Sequence, residues 1–283
     1  ALADDNARRR ILLDDGTSLQ NPNPIPYIGD DDTLRAGDTL SGLVGVIDYG
    51  LATNSNTGIA DYRIHPVGPV NFVRANPRTA TPPAVGGNVR VASFNVLNYF
   101  TTFIDGTTAD GQSGQGCTLG ASTSAANCRG ADNLAEFIRQ RDKIVAAMAA
   151  INADAVGLIE IENNNNVAVD NLVASLNAAM GAGTYASVGM PAGGTGTDAI
   201  RLAMIYKPAK LSLAGGAQSD TDPIHNRPPL AQTFAAANGE RFTVIVNHFK
   251  SKGSCPASGD VNADQGDGQG CWNALRIEQA QAL

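Results

Sequence analysis

From Val89 onward the chain alternates between two hydrophobic periods, and this alternation restricts its folds more than any other feature. "VRVASFNVLN" is a short apolar run with the composition of a strand. "DNLAEFIRQRDKIVAAMAAI" places Leu134, Phe137, Ile138, Ile144, Val145, Met148 and Ile151 on one helical stripe, with Asp132 as the expected N-cap. "AVGLIEI" returns to strand, and "VDNLVASLNAAMG" repeats Val169, Leu172, Val173, Leu176 and Met180 before closing on Gly181 as C-cap. "LAQTFAAA" and "RFTVIVNHF" flank Asn238-Gly239, a strong hairpin signal, so antiparallel pairs accompany the crossovers. The pattern predicts an α/β domain.

A different texture precedes it. Runs such as "TLSGLVGVIDYG" and "DYRIHPVGPVNFV" alternate with Gly, Pro and Asn and lack helical periodicity, which suits a small all-β barrel or part of one. The proline-rich "ANPRTATPPAVGG" separates the two regions. The expected organisation is a β-barrel-like domain over 1–75, a linker over 76–88 and a larger domain over 89–283. At 43% hydrophobic and 17% charged residues, 283 residues fill one large core, or one core and a satellite. "ALADDNARRR" has no signal-peptide pattern and "WNALRIEQAQAL" has helical composition without a stop, so both ends read as cut inside a longer protein.

No apolar run reaches transmembrane length. With 20 Lys and Arg against 27 Asp and Glu, the net charge of −7 draws in no polyanion by itself, so phosphate binding has to be local or cation-assisted. The four cysteines form local pairs, Cys117 with Cys128 and Cys255 with Cys271. Disulfides within each pair would brace Gly/Ser/Asp-rich loops; four free buried thiols are the alternative, and the spacings do not suit zinc. Abundant Asn, Thr, Ser and Gly with few Lys fit a secreted or periplasmic setting.

Asn95, Glu160 and His248 are polar groups in otherwise apolar strands, where each costs free energy unless paired or bound. Singly, each has an ordinary structural explanation: a satisfied strand Asn, a first solvent-facing Glu, a structural strand-end His. Together they suggest one site at the strand ends. A carboxylate with an amide oxygen suits Mg²⁺, Mn²⁺ or Ca²⁺, and a histidine suits proton transfer near neutral pH. Arg227, Asn247, Lys250 and Lys252 are candidates for holding phosphate oxygens. The chemistry suggested is metal-assisted phosphodiester hydrolysis.

The blocks "VASFNVLNYF", "RGADNLAEFIRQRDKIVAAMAAINADAVGLIEIENN", "GTDAIRLAMIYKP", "NRPPLAQTF" and "NHFKSKGS…DGQGCWNALRIEQA" resemble, in this order, the secreted bacterial extracellular nucleases. Those belong to the endonuclease/exonuclease/phosphatase superfamily, which includes pancreatic deoxyribonuclease. The resemblance implies a two-sheet β-sandwich flanked by helices, preceded by part of an oligonucleotide-binding-type barrel. It implies a monomeric endonuclease of low sequence specificity, on DNA with RNA as an alternative substrate and no membrane partner. By the same resemblance Glu160 ligates Mg²⁺ with support from Asn95, His248 contacts the scissile phosphate, Arg227 grips phosphate, and Asp198 orients a catalytic histidine; Ca²⁺ would be structural. The family's Gly-Asp-x-Asn strand and later Asp-His pair have no counterpart in these residues, so the chain alone is expected to lack part of the active site.

"DVNADQGDGQG" departs from an EF-hand loop, with Gln265 and Cys271 where Gly and Glu are required. Arg8 to Arg10 read as a solvated strand or arm, and His65 and His225 lack partners at metal-ligand spacing. No Walker loop, G-x-S-x-G elbow or H-E-x-x-H is present. The competing functions are a phosphodiesterase on lipid or sugar phosphates and a catalytically silent nucleic-acid-binding fragment.

Overall fold

The computed structural model describes residues 2–19, 22–29, 33–51 and 60–283, which divide into two compact units at Ala80/Thr81. The first contains α1 (Leu2–Arg9), β1 (Leu12–Leu13), β2 (Gly45–Leu51) and β3 (Ala60–Pro66). Its sheet has the order β1-β3-β2, with β1 parallel and β2 antiparallel to β3. Among the described residues this sheet has three strands and is open. Of the residues read as a solvated strand or arm, Arg8 and Arg9 end α1 and Arg10 follows it, all three exposed. Asp4 and Asp5 stand one turn before Arg8 and Arg9 and pair with them at 2.8 and 3.1 Å, and Arg10 pairs with Asp61 at 2.8 Å.

The second unit follows the alternation of the sequence. β4 (Val91–Tyr99) leads to the hairpin β5 (Cys117–Leu119) and β6 (Ser122–Ser124), then α2 (Leu134–Ile151), β7 (Ala155–Glu162), α3 (Val167–Met180), β8 (Ala186–Ser187) and β9 (Ile200–Tyr206). β10 (Leu211–Leu213), β11 (Gln218–Ser219), β12 (Leu230–Ala236), β13 (Arg241–Val246) and α4 (Asn273–Gln281) complete it. One sheet has the order β4-β7-β9-β8, and the other the order β10-β12-β11 with β13 on β12. β4 and β7 are parallel, joined through α2; the other pairings of both sheets are antiparallel.

Three layers result. α2 and α3 bury Phe137, Ile144, Met148, Leu172 and Leu176 against Val156, Leu158, Ala203 and Ile205 of the first sheet. The opposite face of that sheet sets Ala155, Leu202 and Met204 against Leu211, Leu230, Phe234 and Val246 of the second. β7 is covered on both faces, which explains why "AVGLIEI" shows no polar alternation until Glu160. Gly157 lets β7 lie close against the second sheet; a Cβ there would lie 2.6 Å from Val246 Cγ2. The fold is a mixed α/β, two-sheet sandwich with helices on one face.

One helix boundary differs from expectation. Asn133, and not Asp132, caps α2, its Oδ1 accepting from the N–H groups of Ala135 and Glu136 at 3.1 and 3.2 Å. Glu136 reaches back to the Asp132 N–H at 3.0 Å, so the acidic side chain that binds the entering backbone is Glu136. Leu134 and Ile138 lie at the exposed edge of the apolar stripe. Gly181 closes α3, and Asn238-Gly239 lies in the β12–β13 turn with Gly239 at φ 85°. Both disulfides form, Cys117–Cys128 and Cys255–Cys271.

Candidate active site

The site begins where two neighbouring strands lose register. Between Asn95 and Tyr99, β4 advances four residues while β7 advances only from Ile159 to Ile161. β7 also bulges against β9, between Leu158 and Ile161. Leu97, Asn98 and Glu160 take positive φ of 53°, 53° and 71°, which strand alternation would not produce. Such backbone costs on the order of 1–3 kcal/mol per residue and persists only where the surroundings enforce it. Here they do: Asn95 Oδ1 accepts from the Leu97 N–H at 2.8 Å, and Gln140 on α2 donates to the carbonyls of Val96 and Leu97 at 3.1 and 2.7 Å.

The bulges bring Glu160 to Asn95. Asn95 Nδ2 donates to Glu160 Oε1 at 2.9 Å, and the Asn98 N–H donates to Oε2 at 3.1 Å. His248, two residues past the end of β13, places Nε2 3.7 Å from Glu160 Oε1. Its Nδ1 is buried without a hydrogen-bond partner. Burial, then the Arg227 guanidinium, hold the His248 pKa below 6.5, against an upward pull from Glu160 and Asp198. The neutral imidazole, able to accept a proton, is therefore favoured at neutral pH. Two residues on, Glu162 is buried and accepts at Oε2 from Thr101 N and Oγ1 and from Thr102 N, fixing the chain that leaves β4. Burial pushes its carboxyl pKa up while the threonine bonds pull it back.

A second cluster adjoins the first. Asp198 Oδ2 accepts from Arg227 Nη1 at 3.1 Å, and Arg227 Nη2 donates to the Phe249 carbonyl at 3.1 Å, beside His248. Asp198 does not hydrogen-bond His248; its other oxygen lies 3.1 Å from Arg129 Nη2. Lys250 lays its amino group over the Trp272 ring, 4.4 Å from the centroid. Its backbone is held at both ends from α4: Arg276 Nη1 donates to its carbonyl at 2.8 Å and Gln279 Oε1 accepts from its N–H at 2.9 Å. Gln279 Nε2 donates to Ile224 O and Asn226 Oδ1, tying the Arg227 loop to the Lys250 loop.

The structure thus brings Asn95, Glu160, His248, Asp198, Arg227 and Lys250 into one chain of contacts. Lys252 is exposed and without a hydrogen bond among the described residues. Asn247 turns Nδ2 back to Ile245 O at 3.4 Å and leaves Oδ1 buried and unpaired. Asn98, Arg129, Gln140, Arg276 and Gln279 were not among the expected site residues. A cation wedged between a cysteine and a glycine, in "CRG", is the one local signal that could have marked Arg129.

The Glu160 carboxylate fits a hard cation that keeps most of its water and takes phosphate oxygens as further ligands; Asn95 turns Nδ2 to it and gives Oδ1 to the Leu97 N–H, so Asn95 orients the carboxylate. The pair does not fit a closed N/S site, and no group of three His, Cys, Asp or Glu could hold a metal among the described residues. In the 255–271 loop, Asp260, Asn262 and Asp264 spend side-chain oxygens on the N–H groups of Asn262, Leu275 and Gly266, as turn and helix-entry bonds.

No family model and no curated protein matches the chain. Among solved structures, the chain is similar to an endonuclease/exonuclease/phosphatase from Bacteroides vulgatus, at 16% identity and TM-score 0.32 over 56% of this chain and 51% of that one. It is also similar to the human Nocturnin catalytic domain with bound sulfate, at 15% identity and TM-score 0.32 over 41% and 44% of the two chains. An endonuclease/exonuclease/phosphatase family protein from Bacteroides thetaiotaomicron matches at 14% identity and TM-score 0.28 over 38% and 41%. The chain spans about half the length of the first of these. Likenesses of this size establish neither family nor reaction.

Proposed function

We propose that this chain carries the active site of a metal-dependent extracellular endonuclease that hydrolyses the phosphodiester bonds of DNA, and of RNA as a second substrate, with low sequence specificity. The observation that supports it best is the contact of Asn95, Glu160 and His248 beside the Asp198–Arg227–Lys250 cluster. Asn95 and the Asn98 N–H fix both Glu160 oxygens, so the carboxylate is oriented before anything binds. Arg227 and Lys250 would hold nonbridging phosphate oxygens, and a neutral His248 would accept or return a proton at Nε2. Mg²⁺ or Mn²⁺ held by Glu160, with Asn95 in support, would supply neutralisation of charge on the phosphoryl oxygens. Contacts of this kind grip backbone and read no base, hence the low specificity.

The two disulfides favour an oxidising compartment, and no helix among the described residues is long and apolar enough to cross a membrane. A Mg²⁺-dependent plasmid-nicking assay on the native protein that contains these residues tests the proposal: wild type nicks, EDTA stops it, and Glu160→Ala lowers the rate by about a hundredfold or more. Retained nicking in Glu160→Ala refutes the site. Preference for phospholipid over DNA in direct competition would instead establish the lipid phosphodiesterase alternative.

A further inference from the structure

Arg129 lies in the second cluster but differs from its neighbours. Arg227 is mostly covered, with 10% of the side chain exposed, and both its Nη atoms are engaged, with Asp198 and with Phe249 O. Arg129 is 39% exposed, and Nη2 alone is engaged, with Asp198 Oδ1. Of the five donors a guanidinium carries, most are left for something else. Its backbone, in contrast, is fixed on both sides. Cys128 before it is locked to Cys117. Gly130 after it sits at φ 88°, packed so closely on Asn98 that a Cβ would collide with the Asn98 carbonyl oxygen. Asn98 is the residue whose N–H holds Glu160. Arg129 is therefore a free fork on a rigid base that touches both halves of the site.

The cluster has direction. Arg129, Asp198, Arg227, Phe249, Lys250 and Arg276 follow one another through the contacts given above, four cations to one carboxylate in a chain whose net charge is −7. Arg227 is the cation beside His248; Arg129 is joined to it through Asp198, and Lys250 through Phe249. We propose that Arg129 binds a phosphate of the nucleic-acid backbone adjacent to the scissile one, and that the Cys117–Cys128 disulfide holds it there. The inference rests on the function proposed above and adds to it a preference for polymers over small diesters. A small diester fills only the position at Arg227 and His248; a polynucleotide also reaches Arg129.

The test compares Arg129→Ala and Arg129→Lys with wild type on plasmid DNA and on bis(p-nitrophenyl) phosphate. Duplex binding is followed in parallel by anisotropy as salt is raised. The expected result is a loss of kcat/KM in Arg129→Ala about tenfold larger on plasmid than on the small diester. The slope of log K against log salt should become shallower by about 0.9, the value for one phosphate, with much of it restored by lysine. Equal losses on both substrates would mean that Arg129 acts only by steadying Asp198 and Arg227, and would overturn the proposal. An unchanged salt slope would overturn it too. In a Cys117→Ser/Cys128→Ser background, Arg129→Ala should cost markedly less; an equal cost in both backgrounds removes the role given to the disulfide. Glu160→Ala run alongside keeps the two readings separate: if it still cuts, the catalytic assignment fails, while the salt slope continues to report on Arg129.

Discussion

Replacing Gln279 by leucine keeps the volume of a side chain that is 1% exposed and removes all three of its hydrogen bonds. The Ile224 carbonyl and the Lys250 N–H are then left without partners against an apolar group. At about 1–3 kcal/mol for each of these two stranded groups, the loss comes to about 2–6 kcal/mol. For a unit of this size, at about 2–4 °C per kcal/mol, that lowers Tm by about 4–24 °C. Gln279→Glu keeps the acceptor for Lys250 and loses both donors, so it should fall between wild type and leucine. Thermal and urea denaturation give the stability, and plasmid nicking well below the transition separates function from unfolding. Activity should fall further than the unfolded fraction explains, because the Arg227 and Lys250 loops lose the group that joins them. A leucine variant with wild-type Tm and wild-type nicking would refute the tie.

Gly130→Ala combines a positive φ with a collision at Asn98 O, and should cost about 2–4 kcal/mol in urea denaturation, with disproportionate loss of activity because Asn98 supports Glu160. Asn133→Ala should destabilise by about 1 kcal/mol and Asp132→Ala by much less; equal effects would overturn the assigned cap. The ring protons of His248 in chelator-treated protein should titrate by NMR with a midpoint below 6.5, rising in Arg227→Ala. Because the folded value is depressed, the stability His248 contributes is full above 6.5 and is lost as pH falls through the folded value; a midpoint above 6.5 contradicts this.

What the sequence made legible was whatever repeats or punctuates locally. The stripes of α2 and α3, the Gly181 stop and the Asn238-Gly239 turn depend on residues within a few positions of one another. The oddity of Asn95, Glu160 and His248 was visible as polarity inside apolar runs. Their convergence depends on two bulges that no strand periodicity encodes, since a bulge shows in sequence only as a strand one or two residues too long. Gln279 and Arg129 escaped notice because their roles come from tertiary contacts, Gln279 to Ile224, Asn226 and Lys250, and Arg129 to Asp198. The N-terminal helix was missed for another reason: it is held by acid–base pairs one turn apart and buries nothing, so hydrophobic patterning is silent there.

The clamp on Lys250 also has a direction in time. A chain emerging from the ribosome presents residues 224–227 and 248–250 before residues 276 and 279. Until Arg276 and Gln279 arrive, the carbonyl and N–H of Lys250 have no α4 to bind, and Gln279 does not yet join its loop to the one that carries Arg227. Asn95 and Glu160, supported by α2 and the bulges, can settle much earlier. The half of the site that carries Arg227 and Lys250 is thus completed only once α4 has emerged, later than the half built on Asn95 and Glu160.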